Sequence, residues 1–186
     1  MPGRGSGLMA AGAISIRGMQ NILKNIEKAK QAAIKGAEQG VAKAAKAVET
    51  TAKRLILKGP KSGWMYHRIP GEKYMTVWQE RGDRSVMVAV FKAEGKQNLA
   101  RDHRASKAGE PPANDSGTLQ TSIMSKRDGL VAVVWTEEKY SKWLEFGTRK
   151  IEPRPFMTPA VEQNRERFPL ELGAAVIHKI EEELKK

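Results

Sequence analysis

At 186 residues, 40% hydrophobic and 29% charged, the chain is long enough for one medium domain with elaborations and too apolar for wholesale disorder. A formal net charge of +12 points to an anionic partner, nucleic acid first and an acidic protein surface second, or simply to a basic protein that stays in solution. The absence of cysteine excludes disulfides, zinc–thiolate sites and a thiol nucleophile, and no apolar run approaches the roughly 20 residues that span a bilayer.

Residues 1–13 are small and glycine-rich and read as a flexible arm, with no apolar signal-peptide segment behind them. From 14 to 58 the pattern turns helical. Met19, Leu23, Ile26, Ala33, Ala37, Val41, Ala44, Val48, Ala52 and Leu55 fall largely at spacings of three and four, which marks one stripe of a long helix. Gly36 and Gly40 inside it mark either a break or a place where another backbone comes close. Between Arg17 and Lys58 stand ten basic and three acidic residues, either a solvated face or a basic rod that lies along DNA or an acidic neighbour.

Gly59-Pro60 ends the helix. Tyr74 to Gln79 and Val86 to Phe91 are rich in β-formers around Arg81-Gly82-Asp83-Arg84, which predicts a hairpin. Pro111-Pro112 holds a polar stretch extended. A second hairpin is expected at Thr121–Lys126 and Leu130–Thr136 around Asp128-Gly129. Tyr140, Trp143 and Leu144 predict a short helix stopped at Gly147. Thr158-Pro159 reads as the N-cap and first turn of a closing helix, which Pro169 kinks or splits. Its apolar stripe is Leu170, Gly173, Ile177, Ile180 and Leu184. The expected fold is therefore α+β: a long N-terminal helix, a small antiparallel sheet with hairpins, and C-terminal helices packed on the sheet. The organisation is an arm, a basic helix over 14–58 and a core over 59–186 with an inserted hairpin at about 70–100.

The residues present no catalytic set. His67, His103 and His178 are scattered without the spacing of a metal site. No serine sits in Gly-x-Ser-x-Gly, and the glycine-rich start lacks a phosphate-binding ending. Glu145 reads as a structural carboxylate that bonds to nearby backbone N–H groups or to Arg149 or Arg154. Tyr66-His67-Arg68 and Trp78 with Arg81 interleave aromatic and basic residues as a reader of single strands would, but in no recognisable order. The expectation is a non-enzyme with no cofactor and no metal. Its rival is a protein that binds nucleic acid without reading its sequence.

Five segments in order carry a resemblance. They are Ser62-Gly63-Trp64-Met65-Tyr66, His103 to Ala113, Asp115 to Ile123, Tyr140 to Thr148 and Arg154 to Ala160. Together they resemble the neck, or tail-completion, proteins of long-tailed bacteriophages (the HK ninety-seven gp-ten-like tail-component family), over about half the chain. The resemblance implies a structural virion protein at the head–tail junction, assembled in the bacterial cytoplasm. It implies a ring of six or twelve copies, with six preferred, contacting connector and tail proteins, with the viral DNA as a further candidate partner and no membrane. Shorter members pass almost directly from the tyrosine element to the histidine segment, so the hairpin between Ile69 and Asp102 stands as an insertion.

Within these segments Asp115 or Ser116 is expected to cap a short helix after Gly117 that places Leu119 and Ile123 on one face. Phe146 and Phe156 are expected to be buried anchors, each contributing about 1.5–3 kcal/mol. The stiff Pro111-Pro112 arm could dock on a neighbour at little entropic cost, or pack within its own subunit. Tyr140, Gly147 and Arg154 complete the set of structural or interface candidates.

Overall fold

A computed structural model describes residues 9–70, 74–92 and 101–185. In chain order the elements are α1 (Met9–Leu57), β1 (Met65–Pro70), β2 (Tyr74–Arg81), β3 (Arg84–Lys92), β4 (Arg101–Arg104), α2 (Thr118–Ser122), β5 (Ile123–Asp128), β6 (Val131–Thr136), α3 (Ser141–Phe146), α4 (Met157–Arg165) and α5 (Arg167–Leu184). The fold is α+β, with a long N-terminal helix, a four-stranded antiparallel sheet of order β3-β2-β1-β4, a two-stranded hairpin β5-β6 and C-terminal helices. Both predicted hairpins are present. The polar stretch before Pro111 contributes one strand that the sequence pattern does not announce, β4, which pairs with β1 through Tyr66↔His103. Among the described residues, no helix is long and apolar enough to cross a membrane.

Helix α1 starts at Met9, inside the stretch read as an arm; residues 1–8 of that arm lie outside the described residues, as do 71–73 and 93–100 of the insertion. The closing helix is split as Pro169 requires, into α4 and α5 with Glu166 between them. Pro169 sits in the first turn of α5, where its missing N–H would have no intrahelical acceptor.

The chain resolves into two compact units. One comprises α1 up to Ala44, Arg127–Ala132 and the chain from Glu166; the other comprises Ala45–Lys126 and Val133–Arg165.

In the first unit α1 lies against α5 along Ala32, Gly36 and Gly40, all buried. A Cβ on Gly36 would stand 2.7 Å from the Cα of Val176, and one on Gly40 would stand 2.7 Å from Leu172 Cδ1. The glycines therefore mark a close helix–helix approach, and α1 continues through them. The expected stripes are corrected on both helices. Met19, Leu23 and Ile26 of α1 are exposed, as are Leu170, Ile177 and Leu184 of α5, while the covered face of α5 centres on Ala175. Small residues let the two backbones approach, and the larger apolar side chains are turned outward.

The second unit holds the main core: Ala45, Val48, Ala52 and Ile56 from α1, Val77 from β2, Leu119, Ile123, Phe156 and Ala160. Asn164 Nδ2 donates to Thr51 Oγ1 at 3.0 Å and ties α4 to α1. Glu49 is buried on the same face of α1. Its carboxylate accepts from Lys46 Nζ and Lys53 Nζ, both at 2.7 Å, and from Ser125 Oγ at 2.6 Å. Burial alone would raise its pKa, but the two ammonium groups and the hydroxyl outweigh burial and hold it at about 2.

Because that pKa lies below the unfolded carboxylate value, the stabilisation is complete above that value and is lost as pH falls towards about 2. Glu49→Gln should therefore be less stable than wild type at pH 7, with the gap closing in denaturant titrations at pH 3 and below. A gap that stays constant with pH would show that the carboxylate charge contributes nothing.

On the outer face of the sheet, His67 stands between two carboxylates. Its Nδ1 is 2.9 Å from Asp102 Oδ1 and its Nε2 is 2.8 Å from Glu80 Oε1. Asp102 first, then Glu80, holds the imidazole protonated above its ordinary range and cross-links β4, β1 and β2.

Candidate functional site

The five segments singled out in the sequence, far apart along the chain, interlock within the second unit. Ser62 Oγ hydrogen-bonds the carboxylate of Glu110, which also accepts from the Lys107 N–H at 3.0 Å. Gly63 N donates to Ala105 O at 2.8 Å, and a Cβ at Gly63 would stand 2.5 Å from Ser106 O, so only glycine lets these two strands of chain touch. Pro112 is buried with its backbone against Gly59, and Pro111 is half-buried. Within the subunit the proline arm packs against Gly59. Its preset extended shape aligns it with the end of α1.

Glu145 is buried and reaches forward to the start of α4. Its Oε2 accepts from Phe156 N at 2.8 Å and Met157 N at 2.9 Å, and its Oε1 accepts from Thr158 N at 2.8 Å. These donors are N–H groups that a helix start leaves without intrahelical partners. Thr158 therefore does not cap α4; it lies inside the helix, and a carboxylate eleven residues upstream satisfies the terminus. Burial would raise the pKa of Glu145, but the backbone N–H groups and the Thr158 side chain outweigh it and lower it. Gly147 stops α3 with φ 73°, and a Cβ there would meet Ile151 O at 2.8 Å. Arg154 N donates to Leu144 O at 2.6 Å, and its Nε donates to Ser106 O at 3.0 Å.

The short-helix expectation is corrected in detail. No side chain caps α2 from its N-cap residue Gly117. Asp115 instead pairs with Arg68 at 2.5 Å, and Ser116 Oγ accepts from the Thr118 N–H at 3.3 Å. Leu119 and Ile123 are both buried as expected, with Ile123 already the first residue of β5. Phe156 is 1% exposed and anchors the core, whereas Phe146 is 79% exposed. The reason is rotation on α3: Glu145 must face inward to reach α4, which turns its neighbour Phe146 outward beside exposed Trp143.

Around this scaffold lies an open groove of about 1340 Å³. Its floor is one face of the sheet, where Tyr66, Gln79 and His103 share a side because they pair directly across β1, β2 and β4. Arg68 and Arg81 lie on the same face, two residues along from Tyr66 and Gln79. Residues 112–119 form one wall and residues 138–154 the other. Tyr140 lines it half-buried; burial, then the nearby Glu138 and Asp115 carboxylates, push its phenol up.

Of the residues expected to matter, Pro112, Gly117, Leu119, Tyr140 and Arg154 line the groove, while Pro111, Ile123, Glu145, Phe146, Gly147 and Phe156 do not. The groove residues Arg81, Ser106, Arg149 and Lys150 fall outside the expected set. Their local signals are the pairing of Arg81 with Trp78, the place of Ser106 within the His103–Ala113 segment, and the basic pair directly after Gly147-Thr148. Among the described residues, no cluster of three His, Asp or Glu is placed to hold a metal ion. No family model, no curated protein and no solved structure matches the chain.

Proposed function

We propose that the chain is a structural subunit of the head–tail junction of a long-tailed bacteriophage, a neck or tail-completion protein that works as a ring. The site of action is the virion, reached after assembly in the host cytoplasm. The observation that carries this reading is the open edge of the four-stranded sheet. Among the described residues strand β3 is the terminal strand, nine residues long, and Val86, Met87, Val88 and Val90 are all exposed. A long apolar edge with an unpaired backbone is a template for another chain, and proteins that stay alone blunt such edges with charge or proline. Exposed Trp143 and Phe146 on α3 supply a second outward apolar surface. The ordered series of five motifs supplies the assignment to the junction, and head-to-tail contacts between identical copies close naturally into a ring.

Multi-angle light scattering and negative-stain microscopy test the reading. A closed ring of six copies is expected, and Val88→Lys at the edge should return monomers with an unchanged circular dichroism spectrum. A wild-type protein that stays monomeric at micromolar concentration and above would rule the ring out. A second reading draws on α1, which carries Lys24, Lys28, Lys30 and Lys35 against Glu27 between residues 24 and 35. On that reading the chain binds nucleic acid without sequence preference. It requires a monomer whose duplex-DNA affinity falls steeply between two salt concentrations.

A further inference from the structure

The groove of the second unit holds cations that the fold itself does not neutralise. Arg68 is matched by Asp115 at 2.5 Å. Arg81 instead spends its guanidinium on the neutral Gln79 Oε1, at 2.9 and 3.1 Å. Arg154 donates to the main-chain oxygens of Ser106 and Glu152. Neither of them, nor Arg149 or Lys150, forms an ion pair with a carboxylate among the described residues. Glu138 and Glu152 also line the groove, so these four cations outnumber them by two. A second observation is independent of charge. Ser106 is 1% exposed and lines the same groove, and its Oγ is buried without a hydrogen-bond partner. A buried hydroxyl left unsatisfied is uncommon and unfavourable, and this one lies on the residue whose carbonyl receives Arg154.

The geometry points to a binding site for an extended, acidic polypeptide segment of a partner protein. Three features select that occupant. The volume of about 1340 Å³ exceeds what a single small molecule fills, which fits a run of chain. Arginine forks recognise planar carboxylates in a bidentate manner. The apolar members of the lining, Trp64, Tyr66, Tyr140, Leu144 and Ile151, suit the side chains between acidic residues. Glu138 and Glu152 disfavour a continuous row of phosphates, because a nucleic-acid strand would place negative charge against them at every step. The site stands apart from the junction assignment: it lies on the inner face of the sheet, not on the β3 edge.

The test is fluorescence anisotropy on the full chain, with a labelled octapeptide of alternating glutamate and leucine as the probe. Saturable binding in the micromolar range is expected, weakened at least about tenfold by Arg149→Glu combined with Lys150→Glu. Both side chains are exposed, so the double variant should keep its circular dichroism spectrum and melting temperature. Lys24→Glu on α1 should leave the peptide's binding unchanged. No saturable binding below about 1 mM, an unaltered affinity in the double variant, or tighter binding of oligothymidylate at the same salt would each overturn the proposal. Light scattering on the same samples separates the two readings, since a ring that ignores the peptide sinks the groove alone, and a monomer that binds it sinks the ring alone.

Discussion

Phe156→Ala should destabilise the unit built from Ala45–Lys126 and Val133–Arg165 by about 3–5 kcal/mol, the ordinary cost of deleting a buried phenylalanine ring. Among the described residues Phe156 is the largest fully buried side chain, with 1% of its surface exposed. Its neighbours are not free to close the hole. Its own N–H is fixed on Glu145 at 2.8 Å, the Met157 N–H after it is held by Glu145 as well, and two residues before it Arg154 N donates to Leu144 O. A site pinned by hydrogen bonds on both flanks relaxes poorly, which places the cost in the upper part of the range. Urea titration followed by circular dichroism gives the number. A variant that melts like wild type would remove Phe156 from the core. Phe146→Ala is the internal control: with 79% of its surface exposed, it should change stability by no more than about 0.5 kcal/mol while altering assembly if α3 is an interface.

Glu145→Ala should cost roughly 3 kcal/mol, more than a usual helix cap. One carboxylate serves three N–H donors at the start of α4, and Phe156 N is buried, so its loss strands donors that water cannot easily reach. Glu145→Gln, which keeps one acceptor oxygen, should fall between wild type and alanine. The pH dependence has a definite sign. The folded pKa is lowered, so the stabilisation is present above the unfolded carboxylate value and disappears as pH falls through the folded one. The difference between wild type and Glu145→Ala should therefore shrink in acid. A pH-independent difference would mean that the side chain acts by packing alone.

The candidate residues divide by how local their information is. Gly147 and the turn at Gly82-Asp83 are legible because a turn needs particular residues at adjacent positions, while the second hairpin turns one residue later than expected, at Gly129-Leu130 instead of Asp128-Gly129. The split at Pro169 is legible for the same reason. The role of Glu145 is half legible. A lone carboxylate in Trp-Leu-Glu-Phe-Gly-Thr announces a structural acceptor, but nothing in the chain says that its donors are Phe156, Met157 and Thr158. Phe146 and Phe156 are indistinguishable as letters, and only the rotation of α3 separates an exposed ring from a buried one.

What the amino-acid order determined by itself is most of the inventory of elements, a long helix, two glycine-turned hairpins, a short stopped helix and a closing helix broken at a proline, but not strands β1 and β4, which complete the sheet. Each of the former is dictated by neighbours within a few residues, through backbone sterics and apolar spacing. Tertiary structure alone decided which helix faces are covered, because α1 and α5 meet along Ala32, Gly36, Gly40 and Ala175, where backbones can approach, and leave their larger apolar side chains to solvent. It also decided the groove. Arg81, Ser106 and the run from Arg149 to Arg154 come from three separate stretches of chain, and the charge of the cations acquires meaning only where the fold gathers more of them than of carboxylates.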